Sequence, residues 1–405
     1  MKKEQPILGG KGTLFFLVII SAFPPLTTDL YLPALPQMVD VFSTTQAMVN
    51  LTLGGYLAMF SIGLLFWGPL SEKYGRKAIL LTGLGVYIAS SILCALAESI
   101  EMLILFRVAQ AFGGGAVTVV ATAVIKDLYD GREREKIMAT VMSLVVIAPM
   151  VAPVLGAFLL KVASWRMMFV VLAIFGSVAV LGTLMFRETL DDKYTGSVLR
   201  AWGRVGVVLK NPRFSMLLAI FSIAPMSMMA FIAAASFIYI DGFGLSEQTF
   251  SFFFAFNALF ATAGPMIYIR ISRQIAVQKI VSYCFALILI CGLAMVTAGD
   301  YSPWLFAVLV APATLAVITL RVPGTNLMLE QQERDTGSAA ALIQFTAMML
   351  GSAGMYLVSL RPEQMILSLG TLQITVGVAG SLFWLLVRNR PFVAEKLVQT
   401  TYSGS

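Results

Sequence analysis

The sequence predicts an all-α membrane protein with 12 transmembrane helices arranged as two halves of six. Three observations lead there. Mean hydropathy is +0.87 and only 12% of the 405 residues are charged, against roughly 25% in a typical soluble domain. The apolar residues gather into about a dozen runs near the ~20 residues that a helix needs to cross a bilayer, and a helix is the element that pairs its own backbone groups in lipid. The longest polar break falls in the middle of the chain, with six runs before it and six after.

In order, the first half reads as spans 13–35, 47–70, 78–97, 101–125, 137–161 and 166–187, giving an amino-terminal half over 1–187. Lys2, Lys3 and Lys11 have the charge of a signal-peptide start, but the apolar run after them is too long and lacks a small-residue cleavage pattern, so it is read as the first span. Residues 188–212, with Asp191, Asp192, Lys193, Arg200, Arg204, Lys210 and Pro212, read as a charged cytoplasmic linker. Spans 213–240, 248–270, 278–298, 303–328, 337–358 and 364–387 follow, with the second half over 213–390 and a cytoplasmic tail over 391–405. Gly68-Pro69 is expected to end the second span, and Gly264-Pro265 nears the end of the eighth, a faint internal repeat. Parallel halves are one known way to build a transporter with cargo held near the midplane.

The net charge of +7 does not point to nucleic acid, because the basic residues lie between apolar runs without an aromatic-rich polar platform. Of 28 Lys and Arg, only Lys161, Arg166 and Arg361 fall in the odd-to-even connections, and only Arg107 and Arg321 fall within spans. The positive-inside rule then puts both termini in the cytoplasm. Cys94, Cys284 and Cys291 all lie in spans, where small apolar packing is their expected role. With no histidine, an ordinary His-bearing metal site is excluded and a proton relay must use carboxylates or water. No nucleophile-and-base pair, metal cluster or phosphate loop argues for an enzyme.

Asp29 is the acid placed deep in a span. Such a residue marks ion coupling or substrate recognition by default. Arg107 lies at a similar depth, about 9 Å from the outer end at ~1.5 Å per residue. The two make either a static buried ion pair or a pair whose relative movement alters proton affinity. Pro24 and Pro25 remove backbone donors and predict a kink, whereas Pro33 and Pro36 are expected to end the helix.

Motifs narrow the reading. The stretch 68–77, Gly-Pro-Leu-Ser-Glu-Lys-Tyr-Gly-Arg-Lys, is similar to the signature loop of the major facilitator superfamily, Gly-x-x-x-Asp-Arg-x-Gly-Arg-Arg/Lys, with Glu72 for Asp and Lys73 for Arg. Arg107-Val108-Ala109-Gln110 resembles the Arg-x-x-Gln-Gly motif of its proton-linked drug exporters, with the glycine two places late. The run 148–157, with Pro149, Pro153 and Gly156, resembles the fifth-span antiporter motif, although Ala replaces the Gly expected before each proline. Thr28-Asp29-Leu30-Tyr31-Leu32-Pro33 and Lys126-Asp127 resemble signatures of the bicyclomycin and chloramphenicol exporter family.

The resemblance implies the major facilitator fold and a proton-coupled antiporter exporting small amphipathic drug-like compounds. In that reading Asp29 carries the proton, Arg107 tunes it, and Gly68, Glu72, Gly75, Arg76, Asp127 and Arg132 form a conformational latch, with Glu72 reaching Arg132 or Arg134 and lying near the helix start at Gly337. Pro25, Thr28, Asp29 and Tyr31 would meet cargo, as would Met226, Met229, Phe256, Asn257, Gln344 and Met348. Met and aromatic surfaces repack around varied guests, and an amide in a span usually turns inward. The resemblance further implies a monomer in a bacterial cytoplasmic membrane, needing no cofactor beyond the proton and having no nucleic-acid partner. Two rivals are export of one native metabolite, such as a metallophore, lipid or peptide, and a receptor-like protein without flux.

Overall fold

The computed structural model describes residues 5–145, 147–190, 196–332 and 336–393, without the side chains of 132, 135, 198–201 and 204. The described residues form 17 α-helices with short 3-10 and π segments. In chain order these are α1 (Gly9–Ser21), α2 (Phe23–Asp29), α3 (Leu35–Val41), α4 (Gln46–Tyr74), α5 (Arg76–Ala95), α6 (Ile100–Leu128), α7 (Gly131–Val145), α8 (Ala148–Val162) and α9 (Trp165–Met185). There follow α10 (Val198–Leu209), α11 (Pro212–Ser222), α12 (Ala224–Ser236), α13 (Glu247–Ile271), α14 (Val277–Ala298), α15 (Pro303–Leu329), α16 (Thr336–Ser359) and α17 (Met365–Val387). Eleven candidate spans are long and apolar enough to cross a membrane, and the bent pair beginning with α1 makes a twelfth.

The chain divides into two compact units, Met1–Trp202 and Gly203–Ser405. Several spans start where a side chain replaces a missing helical acceptor: Thr45, Ser99, Ser246 and Ser302 accept from the third backbone N–H that follows. Asn211 does the same ahead of Pro212.

In the first unit, α6 packs between α4 and α5. Close approach is possible because Gly113 lies against the Gly83 carbonyl and the Tyr87 backbone, so a Cβ there would sit 2.6–2.7 Å from both. In the second unit, a core that includes Phe221, Phe285, Leu320 and Trp384 ties α11, α14, α15 and α17 together. All three cysteines are buried and free.

Two expected boundaries change. The first span does not end at Pro33 and Pro36; it bends by 40° at Ala22, ahead of Pro24-Pro25, and stays helical to Val41. Both later prolines sit in the first turn of a new helical segment, where a missing N–H costs nothing. Gly68-Pro69 does not end the second span, because Pro69 removes a single hydrogen bond near the end of a helix that runs on to Tyr74. Gly264-Pro265 lies inside α13 near its end, as read from the sequence.

The fifth span, read as one run over 137–161, is a single candidate span over Lys136–Val162. Each unit's first span breaks beside proline, at Ala22 and again at Ile223 before Pro225, and the seventh span closes with a π turn over Phe237–Gly242.

Candidate functional site

The broken first span creates the local chemistry. Pro24 and Pro25 begin α2, and Thr27 and Thr28 turn their hydroxyls back onto the Phe23 and Pro24 carbonyls, at 2.6 and 3.0 Å. Asp29 ends the helix and is 6% exposed. Its Oδ1 accepts from the Thr28 hydroxyl at 2.8 Å. That hydroxyl has one proton and three acceptors in reach, the carboxylate and the Pro24 and Pro25 carbonyls. Pro25 and Thr28 are half-buried.

Arg107 is fully buried. It reaches the Asp29 helix, yet no ion pair joins the two among the described residues. Its Nη1 donates to the Thr27 carbonyl at 3.1 Å and to Gln110 Oε1 at 2.8 Å, and its Nε donates to the Thr52 carbonyl at 3.4 Å. The Thr27 carbonyl lies in the last turn of α2, where intrahelical donors run out and a cation is favoured. The guanidinium also faces the rings of Tyr56, Tyr31 and Phe169, with centroids at 4.5, 5.3 and 5.8 Å. Acceptors and π-faces together compensate a charge that would otherwise be costly to bury.

Gln110 passes the contact on, donating to Ser91 at 2.7 Å, while Thr27 and Tyr87 share a 2.6 Å hydroxyl bond. Tyr31, expected to meet cargo, is instead fully buried as one wall around Arg107. Gly156 lies directly on the first span: a Cβ there would run into the Leu30 carbonyl, one residue from Asp29, and would meet Pro33 at 3.3 Å. Pro153 shares the buried face of α8, and Pro149 starts that helix.

The signature stretch is almost wholly helical. Gly75 alone makes the corner, with φ 105°, which favours glycine. Arg76 then turns its Nε to Asp127 Oδ2 at 3.0 Å and its Nη1 to Ser71 at 2.7 Å. Thr189 donates to the same Asp127 oxygen at 3.1 Å.

Sequence reading missed Glu188, whose carboxylate accepts from the Arg76 and Lys77 backbone N–H groups at 3.1 and 3.0 Å and so caps α5. Lys77 Nζ returns the favour to the last turn of α9, donating to the Leu184 and Phe186 carbonyls at 2.8 and 2.7 Å. The Arg187-Glu188 pair just after an apolar run was the available signal. Gly68 lies inside α4 and Glu72 is exposed on it, with no ion pair to Arg134 among the described residues; the Arg132 side chain lies outside them.

In the second unit, buried Asn257 donates to Thr314 at 3.1 Å. Gln344 accepts from Arg321 at 3.0 Å. Met226 and Met229 pack onto α16, where Gly354 approaches the Met226 backbone and Gly351 approaches the Met229 side chain. Phe256 is half-buried between Phe260 and Trp304, and Met348 is half-buried on α16.

Helix order and a buried charged cluster in a broken first span define a multi-pass membrane transporter. The profile of the Major Facilitator Superfamily matches residues 15–355, and the chain belongs to that superfamily. It is 30% identical over 386 residues to an uncharacterised transporter of this type, YdgK of Bacillus subtilis (strain 168), covering 93% of this chain and 95% of that one. A bicyclomycin resistance protein homolog of Haemophilus influenzae is 25% identical over 315 residues, covering 74% of this chain and 78% of that one. A chloramphenicol resistance protein of Pseudomonas aeruginosa is 30% identical over 251 residues, covering 61% and 59%. Among solved structures, a bacterial homolog of the human lysosomal transporter Spinster superposes with a TM-score of 0.69 at 16% identity, covering 96% of this chain and 97% of that one. The D-xylose-proton symporter does so with 0.66 at 14%, covering 92% and 97%. At those identities the likeness carries the fold alone.

Proposed function

We propose that this transporter is a proton-coupled antiporter that exports small amphipathic drug-like compounds by alternating access. The observation that carries this reading is the buried Asp29 carboxyl group, held in a proline-broken span by one neighbouring hydroxyl and without a guanidinium partner. An intramembrane acid left without a counter-cation suits a role in which it gains and loses a proton. Asp29 takes a proton as cargo leaves outward and releases it inward before the next cargo binds. Arg107 acts on Asp29 through the Thr27 carbonyl. Gly68, Glu72, Gly75, Arg76, Asp127 and Arg132 serve the latch, and both termini face the cytoplasm of a bacterial cell. The resistance proteins among its relatives support the drug-like cargo.

Two measurements on Asp29→Asn test the reading. Purified native protein in detergent near neutral pH is expected to release protons when chloramphenicol is added, and Asp29→Asn to bind the same drug without release. In proteoliposomes, a pH gradient drives chloramphenicol movement by the native chain and not by the variant. Equal proton release from both proteins would remove Asp29 from the coupling role.

A further inference from the structure

Arg321 is the second arginine within a span, and the proton-coupling reading gives it no work. It lies on α15, eight residues before Leu329, hence about 12 Å inside the helix end at ~1.5 Å per residue. Its neighbours on the same helical face, Thr314, Val317, Gly324 and Met328, are all buried, yet Arg321 itself is exposed. The apolar residues that α15 exposes, Trp304 and Val308, lie about 100–140° round the helix from it. A cation in a span usually faces the bundle interior or water rather than lipid.

Its hydrogen-bond partner bears on what Arg321 can hold. Arg321 Nη2 donates to Gln344 Oε1, the pair's one side-chain acceptor atom, which keeps a single further lone pair. What remains is chiefly donors: the other guanidinium N–H groups and the Gln344 amide NH₂. No carboxylate pairs with Arg321 among the described residues. We propose that Arg321 and Gln344 form an anion subsite that receives a carboxylate group on an amphipathic cargo molecule. A planar carboxylate fits the guanidinium fork, and half-buried Met348, one turn beyond Gln344, offers an apolar, adaptable surface beside it. The proposal rests on the transport reading and narrows its substrate class.

The test is equilibrium binding of two matched probes to the purified full chain in detergent, with no pH gradient. Naphthalene-1-acetate carries the carboxylate, and naphthalene-1-acetamide has the same apolar body without charge. The native protein is expected to bind the acid more tightly than the amide near neutral pH. Arg321→Gln should weaken acid binding by about tenfold or more while leaving the amide unchanged, and Gln344→Leu should weaken acid binding to a smaller degree. Arg321→Lys should restore part of the loss, since it keeps the charge without the fork.

Unchanged amide binding in Arg321→Gln and Arg321→Lys shows that the protein is folded. No preference for the acid in the native chain, or an acid affinity that Arg321→Gln leaves intact, overturns the subsite. Because no gradient enters, failure here leaves the Asp29 coupling result standing, and loss of coupling there leaves this binding result standing.

Discussion

At the scale of single residues, Arg107 is held by geometry that only its own side chain can supply. One planar group meets the Thr27 carbonyl, the Thr52 carbonyl and Gln110 together, with aromatic rings on its faces. Arg107→Lys keeps the charge and loses the fork, so thermal unfolding in detergent should show a clear loss of stability, on the order of 2–4 kcal/mol. Gln110→Leu should cost about 1–3 kcal/mol by the same measurement, because it leaves Arg107 and Ser91 each short of a partner. Part of this site was legible: Arg107 and Gln110 stand three apart, hence neighbours on one helical face. The carbonyls of Thr27 and Thr52 were not legible, since every residue carries a carbonyl and only tertiary packing selects which ones are used. For the same reason the sequence offered Tyr31 to cargo, while the fold turned its ring onto the guanidinium.

At the scale of elements, prolines and glycines did less and more than their reputation. Proline 69 sits within a helix without ending it, and Pro33 and Pro36 begin segments rather than closing one. A proline's effect depends on whether a donor was needed at its position, which a sequence alone does not state. Gly156 shows the opposite case, a small residue whose meaning lies in what it touches. Gly156→Val should push α8 away from Leu30, lowering stability by about 1–3 kcal/mol and transport much more than expression, with Gly156→Ala in between; vesicle transport and detergent melting read the two effects. Glu188→Gln should weaken the cap on α5 by about 1 kcal/mol, again by melting.

At the scale of the whole molecule, hydropathy alone carried most of the fold. A carboxylate or a lysine is expensive in lipid, so charge retreats to the connections and draws the span plan into the sequence. The bend at Ala22 was legible in Pro24-Pro25, whereas the break at Ile223 stayed hidden, because Ile223 is as apolar as the residues that continue a helix. Orientation has a direct check. With the native cysteines buried, a membrane-impermeant maleimide should label Glu98→Cys and Glu363→Cys only from outside intact cells and Gln274→Cys only from the cytoplasmic face. The reverse pattern would invert the assigned topology.

The cluster around Arg76 bears on how the first unit carries load. Asp127 closes α6, Glu188 follows α9, and Ser71 belongs to α4, so one guanidinium and two carboxylates clamp the ends of four helices to a single corner. Such a corner acts as a keystone. A force applied to the turn at Gly75 spreads at once into α4, α5, α6 and α9, and the bundle answers as a rigid block where a lone helix would bend.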